Sequence, residues 1–395
     1  MKLSFDSKIV LHELHYRKEK KHFIVEKNST GDFYEMPELC IEAIEKIKQH
    51  QSLKQIEEEL SMAYPQEEVD MLSFVQQLIE LELVKELDGE EVVQNETDQA
   101  VKGFTWLPSS FAKILFNKVT IPLLLLLFLT NLLLLITNHR LLPHYTDIFL
   151  FQSMISNMGL YMLISLVLII LHELGHILAI RSYDLPASVS IGHRMYILIV
   201  AETDLTAAWK LEAPQRYRLF LGGMFMDQLL LLTALLIKLT MPAGEVLFTG
   251  IISIVILDIF IKTIYQCSIY MKTDLYYVLE TATGCYNLME NGKNDLAKWI
   301  PFLKNDSTTA TFEGEDKIVR VYGIFSLIGV LCTFSLFVFY FIPQVSYMLK
   351  TTLPHLHEPV DNPYFWDAVA IVLQLLIMMS LLIFTIIKSK KSSSA

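Results

Sequence analysis

Cysteine is scarce in this chain of 395 residues. It has four, Cys40, Cys267, Cys285 and Cys332, and no CxxC pair. That spacing offers neither a disulfide framework nor a cysteine-type zinc ribbon, and it fits thiols facing a reducing compartment. Positive charge is in deficit too: 32 Lys and Arg stand against 43 Asp and Glu, a formal net charge of −11. Such a balance argues against a nucleic-acid binder. Residues 1–21 are polar and charged and lack the apolar core of a secretory signal. No internal repeat is visible. Apolar side chains, by contrast, make up 53 % of the sequence, and the mean hydropathy is +0.41. These values belong to multi-pass membrane proteins.

Two regimes meet near residue 118. Beyond it, apolar runs approach the roughly 20 residues a helix needs to cross a bilayer. Six are expected: 119–137, 158–180, 219–239, 245–267, 321–345 and 364–387. Basic residues cluster in alternate connections. Arg181, Arg194, Lys210, Arg216 and Arg218 lie between spans two and three. Lys272, Lys293, Lys298, Lys304, Lys317 and Arg320 lie between four and five. Lys388, Lys390 and Lys391 follow the last span. The bias of Lys and Arg toward the cytoplasmic side places both termini in the cytoplasm. The expected class is mainly α: about six transmembrane helices with a small N-terminal α+β domain.

That first domain occupies residues 1–100 with its linker, and the membrane domain residues 101–395. Alternating runs at 22–26 and 32–36 flank a turn-forming Asn28-Ser29-Thr30-Gly31, a hairpin signal. Three amphipathic patterns follow. Pro37 opens the first, with Ile41, Ile44 and Ile47 on one face. Ser52 caps the second, which carries Ile56 and Leu60. Pro65 precedes the third, with Val69, Leu72, Val75 and Ile79. Leu83-Val84-Lys85 reads as a closing strand, and acidic residues 88–102 as a linker.

The chemistry concentrates in span two, at His172-Glu173-Leu174-Gly175-His176. Residues four apart share a helix face, so both imidazoles can turn toward one metal ion. Glu173 adjoins the first ligand, where a general base can reach the attacking water. Ionisable groups cost free energy in hydrocarbon unless they are paired or ligated. The pattern therefore points to a zinc hydrolase, with Zn2+ held by His172, His176 and a third ligand from elsewhere. Asn131, Trp106, Trp299, Tyr340 and Trp366 read as structural or interfacial groups.

The motif in its span resembles the site-2 protease family of intramembrane zinc metalloproteases, over residues 158–290. In that family an Asp just after a later span completes the metal site. The matching stretch is Lys272-Thr273-Asp274-Leu275-Tyr276-Tyr277, so the resemblance implies Asp274 as third ligand, although the usual Gly after the Asp is Leu275 and the preceding Pro is missing. Asp258 in span four is the rival, yet Lys262 one turn away makes an ion pair the simpler reading. The resemblance also implies a membrane-associated hairpin at 188–205, where an extended substrate pairs edge-on. Gly222 and Gly223 would permit close helix approach. Asp227 stands where the family has Asn, and Gln266 resembles a family Asn that holds substrate.

Residues 8–86, with Gly31-Asp32-Phe33-Tyr34-Glu35-Met36 and Leu81-Glu82-Leu83-Val84, resemble the winged-helix peptide chaperone of pyrroloquinoline-quinone biosynthesis. Relatives of that chaperone recognise leader peptides. Together the two resemblances imply a membrane protease that processes a precursor peptide captured by its N-terminal domain. Three alternatives stay open at this level. One is a regulatory protease releasing a membrane-tethered factor. Another is a non-proteolytic membrane peptide-binding or export component. The third is an ion-coupled transporter using Asp227, Asp258 and Lys262, which would lack the usual paired repeats.

Overall fold

A computed structural model describes residues 3–19, 22–28, 30–92, 103–194, 198–241, 245–285, 287–300 and 315–392. The chain forms two compact units. One is Met1–Lys102 with Ala208–Lys210 and Thr283–Cys285; the other holds the remainder.

The first unit is a small α+β domain. Strands β1 (Ile9–Leu11), β2 (Leu14–Glu19), β3 (His22–Lys27) and β4 (Asp32–Met36) precede helices α1 (Glu38–Lys48), α2 (Leu53–Ala63) and α3 (Met71–Glu80). Strands β5 (Val84–Leu87) and β6 (Glu90–Glu91) follow. One antiparallel sheet runs β2-β3-β4, the other β1-β5-β6. Gly31, at φ +75°, makes the turn between β3 and β4, because only a residue without Cβ enters that region at no cost. Ser52 accepts from the Gln55 N–H and caps α2; Asp70 does the same for α3 through Ser73. Ile44, Ile56, Leu60, Val75 and Leu78 form the centre of the core.

Several details differ from the sequence reading: β1 was not foreseen, and β6 pairs with β5 inside the stretch 88–102 read as a linker, of which residues 93–102 lie outside the described residues. Strand β2 was not foreseen, since its Tyr16-Arg17-Lys18 stretch carries no apolar alternation; ladder bonds to β3 hold it instead. The buried face of α3 is Met71, Val75 and Leu78 rather than Val69, Leu72, Val75 and Ile79. The Asp70 cap starts the helix later and rotates the inward stripe.

In the second unit, α4 (Ser109–Leu115) leads into α5 (Thr120–Thr137) and α6 (Met154–Arg181). A hairpin of β7 (Ser188–Arg194) and β8 (Leu198–Asp204) follows. Then come α7 (Ala213–Phe220), α8 (Gly222–Thr240), α9 (Val246–Tyr265), α10 (Asp274–Thr283), α11 (Leu288–Ala297), α12 (Asp316–Leu336), α13 (Ile342–Thr352) and α14 (Pro363–Ser392). Among the described residues six helical stretches are long and apolar enough to cross a membrane. The chain is thus a mainly α, multi-pass membrane protein.

The span boundaries move at three places. Span two begins at Met154, where Asp367 of α14 accepts from the Met154 N–H at 3.0 Å and from Ser153 Oγ at 3.1 Å, a carboxylate on a positive helix end. Span three splits into α7 and α8 at Leu221, beside Gly222 and Gly223, the kind of pair at which helices bend. Span five belongs to a 42-residue helical stretch, Asp316–His357, widened to a π-turn at Phe337–Phe341. At 1.5 Å per residue it runs to about 60 Å, twice the hydrocarbon thickness, so only part of it crosses.

Helices α6, α8 and α9 form the packed centre. Asn131 of α5 donates to the Gln228 carbonyl and side chain of α8 at 2.9 and 3.0 Å, and Gln228 donates to Thr263 of α9 at 3.0 Å. Helices α6 and α8 cross backbone to backbone: a Cβ on Gly175 would collide with the Gly222 carbonyl and the Met226 side chain. We expect Gly175→Val to destabilise the membrane domain by about 1–3 kcal/mol through overpacking. A thermal midpoint in detergent equal to wild type would rule this crossing out as a packing constraint.

Candidate metal centre

His172 lies nine residues from the end of α6, roughly 13 Å along the helix. His176, one turn on, is 3 % exposed. The turn after α9 brings in the third group. Lys272 adopts the left-handed conformation, φ 53°, and α10 then starts at Asp274. His172, His176 and Asp274 offer ligand atoms that all lie within 4.8 Å of one another, the one such cluster of three among the described residues. Asp258 is not in it; its carboxylate pairs with Lys262 at 2.5 Å. Gly223 packs flat against the His172 ring, where any side chain would collide.

The triangle is tight. His172 Nε2 stands 3.2 Å from Asp274 Oδ2 and 3.3 Å from His176 Nε2, and His176 Nε2 stands 3.5 Å from Asp274 Oδ1. Ligand atoms around a tetrahedral ion with bonds of about 2.0–2.1 Å are separated by about 3.3 Å. The protonation pattern matters as much as the distances. His176 Nδ1 lies 2.8 Å from the Leu219 carbonyl, which can only accept, so Nδ1 carries the proton. His172 Nδ1 likewise donates to Asp227 Oδ2 at 2.8 Å. In the neutral rings both Nε2 atoms are then bare lone pairs, and both face a carboxylate. Three electron-rich atoms converge, and a cation at their centre, metal or proton, removes the repulsion. Burial pushes the Asp274 carboxyl up, but with no metal bound the imidazoles of His176 and His172, as protonated cations, more than offset it and hold it well below the usual carboxylate range. An ionised Asp274 is the form that can ligate.

Outer contacts set these orientations. Asp227 is 3 % exposed and its Oδ2 fixes the His172 ring. The sequence suggested a polar role for it near the site without naming the partner. Gln266 donates to Asp274 Oδ2 at 2.9 Å, and its carbonyl accepts from Thr273 Oγ1 at 2.9 Å. Its amide nitrogen thus fixes the Asp274 carboxylate, while its side-chain oxygen has no hydrogen-bond partner among the described residues. Sequence reasoning missed two contributors. The Leu219 carbonyl is one, buried against His176 where α7 ends before α8. The other is Thr203 of β8, whose N–H and Oγ1 donate to Glu173 Oε2 at 2.9 and 2.7 Å. A lone Thr in a strand and a backbone carbonyl carry no sequence signal.

Carboxylates behind metal-ligating imidazoles raise ligand basicity and fix the tautomer, and losing them costs about 10–100-fold in metal affinity. Were zinc held here, Asp227→Ala should weaken its binding by about that factor, measured by chelator competition, whereas Asp227→Asn, which keeps an acceptor oxygen, should lose less. Equal affinity in wild type and Asp227→Ala would sink the orienting role.

No family model, curated protein or solved structure matches this chain. The functional reading rests on the chemistry of the site.

Proposed function

We propose that this protein is a zinc metallopeptidase that cleaves a peptide bond within or beside the membrane. One observation carries the reading: two imidazoles of the membrane helix α6 and the Asp274 carboxylate from the turn after α9 converge at tetrahedral spacing, with Glu173 adjoining. The donor set of two nitrogens and one oxygen suits zinc and leaves a fourth position open. When bound, zinc would supply Lewis acidity, acidifying a water and polarising the scissile carbonyl.

The chain's own residues do the remaining work. His172, His176 and Asp274 hold the ion. Asp227 and the Leu219 carbonyl hold the imidazoles in the ligating tautomer. Glu173 takes a proton from the attacking water and returns it to the departing amine. Thr203 holds one Glu173 oxygen and leaves the other for that transfer. A helical substrate hides its carbonyls in its own hydrogen bonds, so it must unwind or arrive extended before attack.

With Lys and Arg facing the cytoplasm, both termini and the His176 end of α6 lie on that side. The N-terminal domain then shares a compartment with newly made peptides. Its β2-β3-β4 sheet has two edge strands, β2 and β4, and an extended peptide can add to such an edge. The substrate class that fits is a ribosomally synthesised precursor peptide. The test is mass spectrometry of peptides from cells carrying wild type or Glu173→Gln. Fragments present only with wild type, and precursors that accumulate with the variant, are the expected result; identical peptide profiles would overturn the proposal.

A further inference from the structure

We infer that Cys267 and Cys332 are a dithiol oxidation site that closes to a disulfide between the turn bearing Asp274 and helix α12. The two cysteines stand apart in sequence and read there as isolated; folding brings them together. Gly329, Cys332 and Thr333 share one face of α12, being three and four positions apart. That face lies on the chain just after α9. A Cβ on Gly329 would strike the Cys267 carbonyl and meet the Ser268 Cα at 3.2 Å. Ser268 Oγ and Thr333 Oγ1 are 2.6 Å apart, and the Tyr270 hydroxyl donates to Thr333 Oγ1 at 3.1 Å. These contacts place Cys332, one position before Thr333 on the same face, beside Cys267, one position before Ser268. The chain leaves Cys267 exposed and Cys332 partly so, and since α12 belongs to a membrane span, the reagent that reaches the pair is a small lipid-soluble one. The outward position of Cys267 separates this pair from Cys285, which is buried.

The reaction is a thiol–disulfide exchange with a small-molecule disulfide. One cysteine thiolate attacks the reagent, its S–S bond breaks, and one reagent thiol leaves. The second cysteine sulfur then attacks the mixed disulfide and expels the other reagent thiol. Two electrons pass from the protein dithiol to the reagent, and the two protons leave with its thiols. Burial, then the neighbouring Cys332 thiol, raises the Cys267 thiol above its ordinary value. The exchange is accordingly slow near neutral pH, and reagent is needed in excess.

The bond would bear on the metal site. Cys267 directly follows Gln266, which holds Asp274 by its side chain and Thr273 by its carbonyl. A covalent tether at Cys267 removes freedom from the segment that must move for Asp274 to leave the ion. This second half rests on the zinc reading above; the first half does not.

The test uses the full-length protein in detergent, treated with excess dithiodipyridine. We expect a mass loss of about 2 Da relative to the reduced chain, and protection of two thiols from alkylation after denaturation. Both changes should vanish in Cys267→Ser and in Cys332→Ser and persist in Cys40→Ser and Cys285→Ser. Cys267 and Cys332 still open to alkylation after oxidation, or a cross-link that survives in Cys267→Ser, overturns the assignment. Zinc-loaded protein should release its metal to a chelator several-fold more slowly when oxidised; equal release rates overturn the tether. Protein that takes up no zinc in either state overturns the peptidase reading and leaves the disulfide result intact.

Discussion

Glu173→Gln should lower peptide hydrolysis by about 10²–10⁴-fold, the usual contribution of a positioned general base, while zinc content and folding stay at wild-type values. The amide is nearly isosteric with the carboxylate. Its oxygen can still accept from the Thr203 N–H and Oγ1 that now hold Glu173 Oε2 at 2.9 and 2.7 Å, so the local packing persists. What disappears is the ability to accept a proton. Rate measured on purified protein with a fixed peptide, alongside metal analysis of the same sample, separates the two effects. Undiminished cleavage with full zinc would remove Glu173 from the mechanism. Loss of zinc together with activity would mean that Glu173 acts on the site through structure rather than as a base.

Asp274→Ala should reduce zinc affinity by more than the roughly 100-fold that marks the upper end for orienting residues, because it deletes a ligand rather than a support. The variant would leave two imidazoles facing each other, Nε2 to Nε2 at 3.3 Å, with no carboxylate to complete the site. Asp258→Asn is the decisive partner measurement. Asp258 is 2 % exposed and paired to the half-buried Lys262, so its loss takes the counter-charge from that lysine and lowers stability, yet it should leave metal stoichiometry unchanged. Metal loss in Asp258→Asn with retention in Asp274→Ala would reverse the ligand assignment. A transporter built on Asp227, Asp258 and Lys262 predicts something else again: transport that fails in Asp258→Asn, and no zinc-dependent cleavage at all.

The supporting side chains explain why the site needs a tightly packed centre. The Leu219 carbonyl reaches His176 only because α7 stops before Gly222. The His172 ring fits against α8 only because Gly223 has no side chain. Spans one to four bury 28–44 % of their apolar windows within the chain, against 11 and 17 % for the last two. The candidate metal centre draws on α6, α7, α8 and the turn after α9, all in the well-packed group. The last two spans contribute chiefly lipid-facing surface, although Asp367 ties α14 to the start of α6.

Much of this was legible in the chain itself, because the relevant signals are periodic or local. Apolar runs of helix length mark the spans, since hydrocarbon tolerates only backbone that satisfies its own hydrogen bonds. The i, i+4 spacing alone puts His172 and His176 on one face of α6. Ser52 as a cap and the α1 stripe of Ile41, Ile44 and Ile47 follow from sequence for the same reason. Other features depend on which distant segments meet, and no local pattern encodes that. The lengths of spans two and five were misread because helices here outrun the bilayer. The split of span three, the Thr203 contact to Glu173, the Asp227 bond to His172 and the adjacency of Cys267 with Cys332 belong to this group. The sequence by itself determined a multi-pass α-helical chain with two histidines aligned on one turn. A resemblance in the sequence pointed to Asp274 rather than Asp258, but only the tertiary structure brought its carboxylate to the two imidazoles, because that depends on where the turn after α9 places the first residue of α10.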